Sequence, residues 1–204
     1  MELTITWHGG ATVQTRGPFG TLASELPGTA PATADIVTRA LPAPVGGDSP
    51  PSSDGSGAFA IQGPGEYEVK GVFIVGVPTP GPAGFPFNTA YAMTFESVTV
   101  CHLGQAVAPP RDEDAADLGA IDVLVLPLGG ARALNPTRAA EIVGELAPRI
   151  VVPIVVEDDG EVLAQFLNKL GTSAIDPIDA LRVQPGPMTD DVQVVLLNQQ
   201  PLAA

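Results

Sequence analysis

The sequence predicts an α/β (α+β) chain in which β-sheets pack on one another and helices lie on the outside. Three observations carry this reading. Four strand-like stretches arrive before any helix. The second half runs β-α-β-α-β-β, with apolar strands at Ile121 to Leu126 and Ile150 to Val156. The longest β signal, Gln62 to Thr79 (QGPGEYEVKGVFIVGVPT), sits between two Pro/Gly-rich gaps.

In chain order, ELTITW (2–7) and ATVQT (11–15) alternate as two strands about a tight turn at Gly9-Gly10. Thr21 to Leu26 adds a third strand and ADIVT (34–38) a fourth, nearly all apolar or β-branched and therefore buried. Residues 40–57, ALPAPVGGDSPPSSDGSG, have no hydrophobic period and the composition of a flexible loop. Ala58 to Ile61 follows.

Gln62 to Thr79 then reads as one strand running from an exposed edge, where Glu66, Glu68 and Lys70 alternate with apolar residues, into a region covered on both faces from Val72 onward. Asn88 to Glu96 and Val98 to Leu103 form a hairpin, and a short acidic helix from Asp112 to Leu118 ends at Gly119. Asn135 caps a helix with Pro136 at its first position, striped by Ala139, Ile142, Val143 and Leu146. Asp158 or Asp159 caps another, with Leu163, Phe166, Leu167 and Leu170 on one face and Gly171 as terminator. Strands near Ala180 to Gln184 and Val192 to Asn198 close the chain.

A length of 204 residues suits a single domain at 1–204, burying roughly 70% of its unfolded surface. With 23 acids against nine bases the net charge is −14, and with no basic cluster this argues against nucleic acid as partner. No apolar run is long enough to span a bilayer and the first residues lack a signal-peptide pattern, so a cytoplasmic protein without membrane association is expected. The lone Cys101 excludes an internal disulfide.

Several runs, taken together, resemble the metallo-β-lactamase fold superfamily, in its Zn-dependent hydrolase-like branch related to L-ascorbate-6-phosphate lactonase. They are ITW, ADIVT at 34–38, GPGEYEVKGVFIVGVPT at 63–79, Asn88-Thr89, Cys101-His102-Leu103-Gly104, DVLVLPLGG at 122–130, Asn135-Pro136 and IVVPI at 150–154. The resemblance implies an αββα sandwich of two mixed β-sheets. It also implies Zn or Mn held by imidazoles and carboxylates, which lowers the pKa of a bound water.

The ligands are not where the resemblance places them. The His-x-His-x-Asp-His run that follows a strand like ADIVT falls on Leu41, Ala43, Val45 and Gly46. A Gly-His turn is Gly9-Gly10, an Asp after Leu-Gly is Gln105, the last histidine is Val155, and a further one falls at Thr79 to Gly81. Only two histidines exist in the chain, so no shift of alignment restores a multi-histidine site. No bound cofactor is therefore expected.

What remains is a vestigial pocket of His8, Glu25, Thr79, His102 and Gln105. His8 reads more simply as a strand-end histidine bonded to backbone, and His102 as a structural neighbour of the old site. Glu25, Thr79 and Gln105 read more simply as solvated loop residues. Cys101 is a small core residue, and the pairs Glu66/Glu68 and Asp158/Asp159 are structural. No catalytic or metal-binding residue is assigned. The expectation is a pseudoenzyme that binds or assembles, with a small molecule, a protein or a second copy as partner. The alternative is a metal-dependent hydrolase of an ester, lactone or phosphoester with an atypical site at His8, Glu25 and Gln105.

Overall fold

The computed structural model describes residues 2–25, 34–42, 57–130, 133–156, 161–172, 175–187 and 191–202. Most of the Pro/Gly/Ser-rich loop predicted at 40–57, and Asp158 and Asp159, lie outside the described residues. Two mixed sheets face each other, as the sequence predicts. One has the order β12-β1-β2-β3-β4-β5 and joins Leu181–Val183, Leu3–Trp7, Val13–Gly17, Gly20–Ser24, Ile36–Arg39 and Phe59–Gln62. The other has the order β13-β11-β10-β9-β8-β7-β6 and joins Gln193–Val194, Ile150–Val155, Val123–Leu128, Val98–His102, Asn88–Phe95, Val72–Thr79 and Gly65–Val69.

Alternation along each strand sorts the side chains into two cores. Leu3, Ile5, Leu22, Ile36 and Ile61 of the first sheet meet Ile74, Met93, Phe95, Val125 and Val152 of the second. The opposite face of the second sheet (Ala92, Leu124, Leu126, Val151) packs on the helices through Leu118, Ile142, Val143 and Phe166. β10 is buried at all six positions because it contributes to both cores. This is why IDVLVL shows no polar alternation. The helices are α1 (Asp112–Asp117), α2 (Pro136–Leu146) and α3 (Val162–Lys169), and residues of all three elements or their caps enter the second core. Among the described residues no helix is long and apolar enough to cross a membrane.

The Asn135 cap is present: its side-chain oxygen accepts from the backbone N–H of Thr137 and Arg138 at 3.1 and 3.0 Å. The cap residue of α3 is Glu161, whose side chain makes no capping bond. The last predicted strand shortens to Gln193–Val194 because the chain changes partner. Val195 N donates to Val151, but Leu196 O and Asn198 N bond Ile178 instead.

Gln62 to Thr79 is not one strand. It contains the end of β5, a turn at Gly63-Pro64, and the hairpin β6–β7, paired from Gly65↔Gly76 to Val69↔Val72. Lys70 and Gly71 both have positive φ (51° and 75°), the backbone a two-residue hairpin turn requires. The turn reverses which residues face inward. Tyr67 and Val69 on β6 and Val72 and Ile74 on β7 reach the central core, while Phe73 is 45% exposed. β6 is nevertheless the sheet edge, with Glu66 and Glu68 exposed. Gly71→Ala is expected to cost about 1 kcal/mol from the left-handed backbone alone. The Cβ would meet Phe19 only at ordinary contact distance, 3.4 Å, and urea denaturation measures the loss.

Candidate functional site

One end of the sandwich collects the residues singled out from the sequence. β3 ends at Ser24, and Glu25 follows with φ 56°. Its backbone is clipped on both sides, its N–H to Thr38 O at 3.0 Å and its carbonyl to the Thr12 hydroxyl at 2.9 Å. Held this way, the carboxylate points toward the residues that leave β4 and β9. One oxygen accepts from Ala40 N at 2.5 Å, and the other from the Gln105 amide at 3.4 Å.

The second sheet answers through Asn88, a residue the sequence offered only as part of an Asn-Thr run. Asn88 is fully buried. Its carbonyl oxygen accepts from Gln105 N at 2.7 Å, and its amide donates to the Thr79 hydroxyl at 2.7 Å and to Leu103 O at 2.9 Å. A backbone bond from Thr89 N to Ala40 O, 2.8 Å, crosses between the sheets beside it. Gly104, with φ 63°, lies against Ala40, Asn88 and Thr89 where any side chain would collide. Glu25, Gln105, Asn88 and Thr79 thus form one hydrogen-bonded chain from the first sheet to the second. Thr79 is only 3% exposed, so the reading of it as a solvated loop residue is corrected. Glu25 and Gln105 are partly buried and bonded.

His102 adjoins this chain without entering it. Nδ1 accepts from Gly104 N at 2.9 Å, which leaves Nε2 to donate to Ala11 O at 2.9 Å. Burial pushes its pKa down to about 4, against a smaller opposing pull from the Ala11 carbonyl. The ring is therefore neutral. His8 turns away, toward the C-terminal segment. Nδ1 meets the carbonyls of Gln200 and Pro201 at 3.3 and 3.2 Å, so it carries the proton, and Nε2 accepts from the Thr6 hydroxyl at 2.9 Å. The structure does not bring His8 together with Glu25 and Gln105 in any hydrogen bond it records.

Burial raises Glu25 to about 7, opposed by the Ala40 N–H, the Gln105 amide and the charge of Arg39. Cys101 is fully buried and its thiol is pushed up to about 12, so it is no nucleophile at neutral pH.

These donors do not fit the metal the resemblance implies. A metal needs the imidazole lone pair, and in both histidines that lone pair already accepts a hydrogen bond. Glu25 is the one carboxylate in the cross-sheet chain, and among the described residues no three His, Cys, Asp or Glu side chains converge as a metal site. Of the positions where ligands were sought, Leu41 is partly buried and Val155 lines a cleft. Ala43, Val45 and Gly46 lie outside the described residues.

Asn88 could have been found from its position. A carboxamide in a strand as rich in apolar residues as NTAYAMTF must find partners when buried, and Thr79 and Leu103-Gly104-Gln105 supply them.

Comparison with known proteins finds relatives of the chain. The profile described as a beta-lactamase superfamily domain matches residues 4–155, a span holding the whole cross-sheet chain. A protein of Pyrococcus horikoshii named a metal-dependent hydrolase is 36% identical over 96 residues, covering 44% of this chain and 43% of that protein. A protein of Pyrococcus abyssi with the same description is 34% identical over the same shares. The matched region thus spans less than half of those relatives. Among solved structures, one from Thermotoga maritima, described as a Zn-dependent hydrolase of the metallo-β-lactamase superfamily, superposes with a TM-score of 0.71 at 23% identity, covering 96% of this chain and all of that one. A metallo hydrolase of Ignicoccus hospitalis gives 0.64 at 15% identity, covering 91% and 100%. At these identities the likeness is one of fold.

Proposed function

The chain belongs to the beta-lactamase superfamily, and from that premise we propose that it is a non-catalytic binding or assembly protein in which the superfamily's metal site is degenerate. The observation that carries this reading is the state of the two imidazoles. Both present their lone pairs to protein donors, and the chain has no third histidine. The Glu25–Gln105–Asn88–Thr79 chain supports it further, because these polar groups are engaged in hydrogen bonds with one another.

Elemental analysis of protein purified without chelator is expected to find far less than one equivalent of Zn, Mn or Fe. Zn²⁺ or Mn²⁺ is expected to leave the melting temperature unchanged. A metal specific to the folded state would at a hundredfold excess over its Kd add about 2.7 kcal/mol, or a rise of several degrees. Stoichiometric metal abolished by His8→Ala or His102→Ala would refute the proposal.

The names of the Pyrococcus relatives favour a second reading, a metal-dependent hydrolase of an ester, lactone or phosphoester working through an atypical site. The sequence resemblance to L-ascorbate-6-phosphate lactonase puts lactones first on a substrate panel. This reading requires turnover that rises with added metal and falls in Glu25→Gln. A flat metal titration across the panel ends it.

A further inference from the structure

We propose that the cleft between the ends of β1 and β11 and the start of α3 binds an apolar organic molecule that carries no negative charge. The inference rests on the binding-protein reading above and names the ligand class. The cleft has a volume of ≈ 680 Å³ and is walled by Trp7, Val155, Val156, Leu163, Leu197 and Asn198, among others. That size falls within the range of small-molecule sites, which are apolar with a few placed polar groups.

The walls are fixed by hydrogen bonds. The Trp7 indole N–H donates to Gly10 O at 2.9 Å, Gln200 N donates to Trp7 O at 2.8 Å, and Asn198 N donates to Ile178 O at 2.8 Å. Gly9, at φ 94°, leaves the Gln199 amide the space a Cβ would fill. The indole is therefore held in one orientation, and Trp7 lines the cleft together with Asn198 and Gln199.

Charge decides the ligand class. Among the described residues no Lys, Arg, Asp or Glu lines the cleft. An anion entering it would lose water with no cation to replace it. The surroundings add to the penalty. The Asn198 amide donates to the Asp179 carboxylate at 2.8 Å, and the chain carries −14 overall. Val155 also stands where the resemblance sought a histidine, which makes that wall apolar.

Trp7 is the only tryptophan, so binding can be read directly. The test uses the full chain treated with EDTA and two probes sharing one ring system, the uncharged N-phenyl-1-naphthylamine and its sulfonated analogue 1-anilinonaphthalene-8-sulfonate. The uncharged probe is expected to saturate with a Kd on the order of 100 μM or tighter, as its size allows, and to quench Trp7. The sulfonate is expected to bind at least about tenfold more weakly. Leu163→Arg should abolish the quenching, and Leu163→Phe, which keeps α3 apolar while occupying cleft volume, should weaken it. Melting curves establish that both variants fold.

No saturable binding, equal affinity for the two probes, or undiminished quenching in Leu163→Phe overturns the cleft assignment while leaving the metal-free reading in place. Binding that appears only when Zn²⁺ is restored overturns both.

Discussion

Asn88→Ala is expected to destabilise the protein by about 3 kcal/mol, the sum of three buried hydrogen bonds at roughly 1 kcal/mol each. It should lower the melting temperature by about 6 to 12 °C for a chain of this size. The side chain donates to Thr79 and Leu103 and accepts from Gln105. Thr79 and Leu103 are 3% and 0% exposed, so water cannot readily replace what alanine removes. Equilibrium urea denaturation measures the loss. Because Asn88 reaches Glu25 through Gln105, a double-mutant cycle with Glu25→Gln should show coupling of about 0.5 kcal/mol or more. A loss below about 1 kcal/mol, or strictly additive effects, would mean that the two sheets are not tied through this residue.

That tie also shows what the sequence could and could not disclose. Strands announce themselves by period and by bounding Gly and Pro residues, so β1, β8, β9 and β10 lie within a residue or two of where ELTITW, NTAYAMTFE, VTVCHL and IDVLVL place them. The Asn135-Pro136 start of α2 was equally plain, because cap chemistry is local. Gln62 to Thr79 misled for a physical reason. Lys-Gly is a weaker turn signal than Asn-Gly, and with Tyr67 and Val69 before it and Phe73 and Val75 after it the odd positions stay apolar straight through. Only the positive φ of Lys70 and Gly71 reveals that the inward face has changed from odd to even residues.

The candidate site was legible in part. Glu25, Thr79 and Gln105 were named from their places in the chain, and hydrogen bonds connect them through Asn88; His8 was named the same way, and its ring faces Gln200 and Pro201, 192 and 193 residues away in sequence. No local pattern reports a contact of that separation. The cleft walled by Trp7 and Leu163 was invisible for the same reason, since its walls come from β1, β11, α3 and the C-terminal segment.

The pH dependence of stability is expected to be nearly flat between pH 4.5 and 6.5 in the wild type and to become steep when Glu25 is removed. Two groups, one buried and one partly buried, oppose each other there. His102 has its pKa lowered from 6.5 to about 4 by burial, so below pH 6.5 the unfolded chain takes up a proton that the folded ring refuses. Its contribution is complete above pH 6.5 and is lost as pH falls toward 4, about 3 kcal/mol in all. Glu25 has its pKa raised from 4.5 to about 7 by burial, with Arg39 pulling the other way. Above pH 4.5 the unfolded carboxyl releases a proton that the folded one keeps, so stability falls as pH rises from 4.5 to 7. Glu25 is partly open to solvent, which reduces its share to about 2 kcal/mol. The window is clear of the other shifted groups near this end of the sandwich. Asp35, lowered by its bond to Lys70, acts below its ordinary range, and burial moves Tyr91 and Cys101 upward, well above neutrality. Glu25→Gln keeps an oxygen for the Ala40 N–H and removes the falling limb, so its stability should climb by about 3 kcal/mol from pH 4 to 6.5. It should also exceed the wild type by about 2 kcal/mol at pH 8. His102→Gln should show the reverse, a decline from pH 4.5 to 7 on a lower baseline. Urea denaturation at half-unit pH steps resolves both limbs. A Glu25→Gln profile parallel to the wild type would mean that the carboxylate ionises freely and is not held by Ala40 and Gln105 in the setting that raises its pKa.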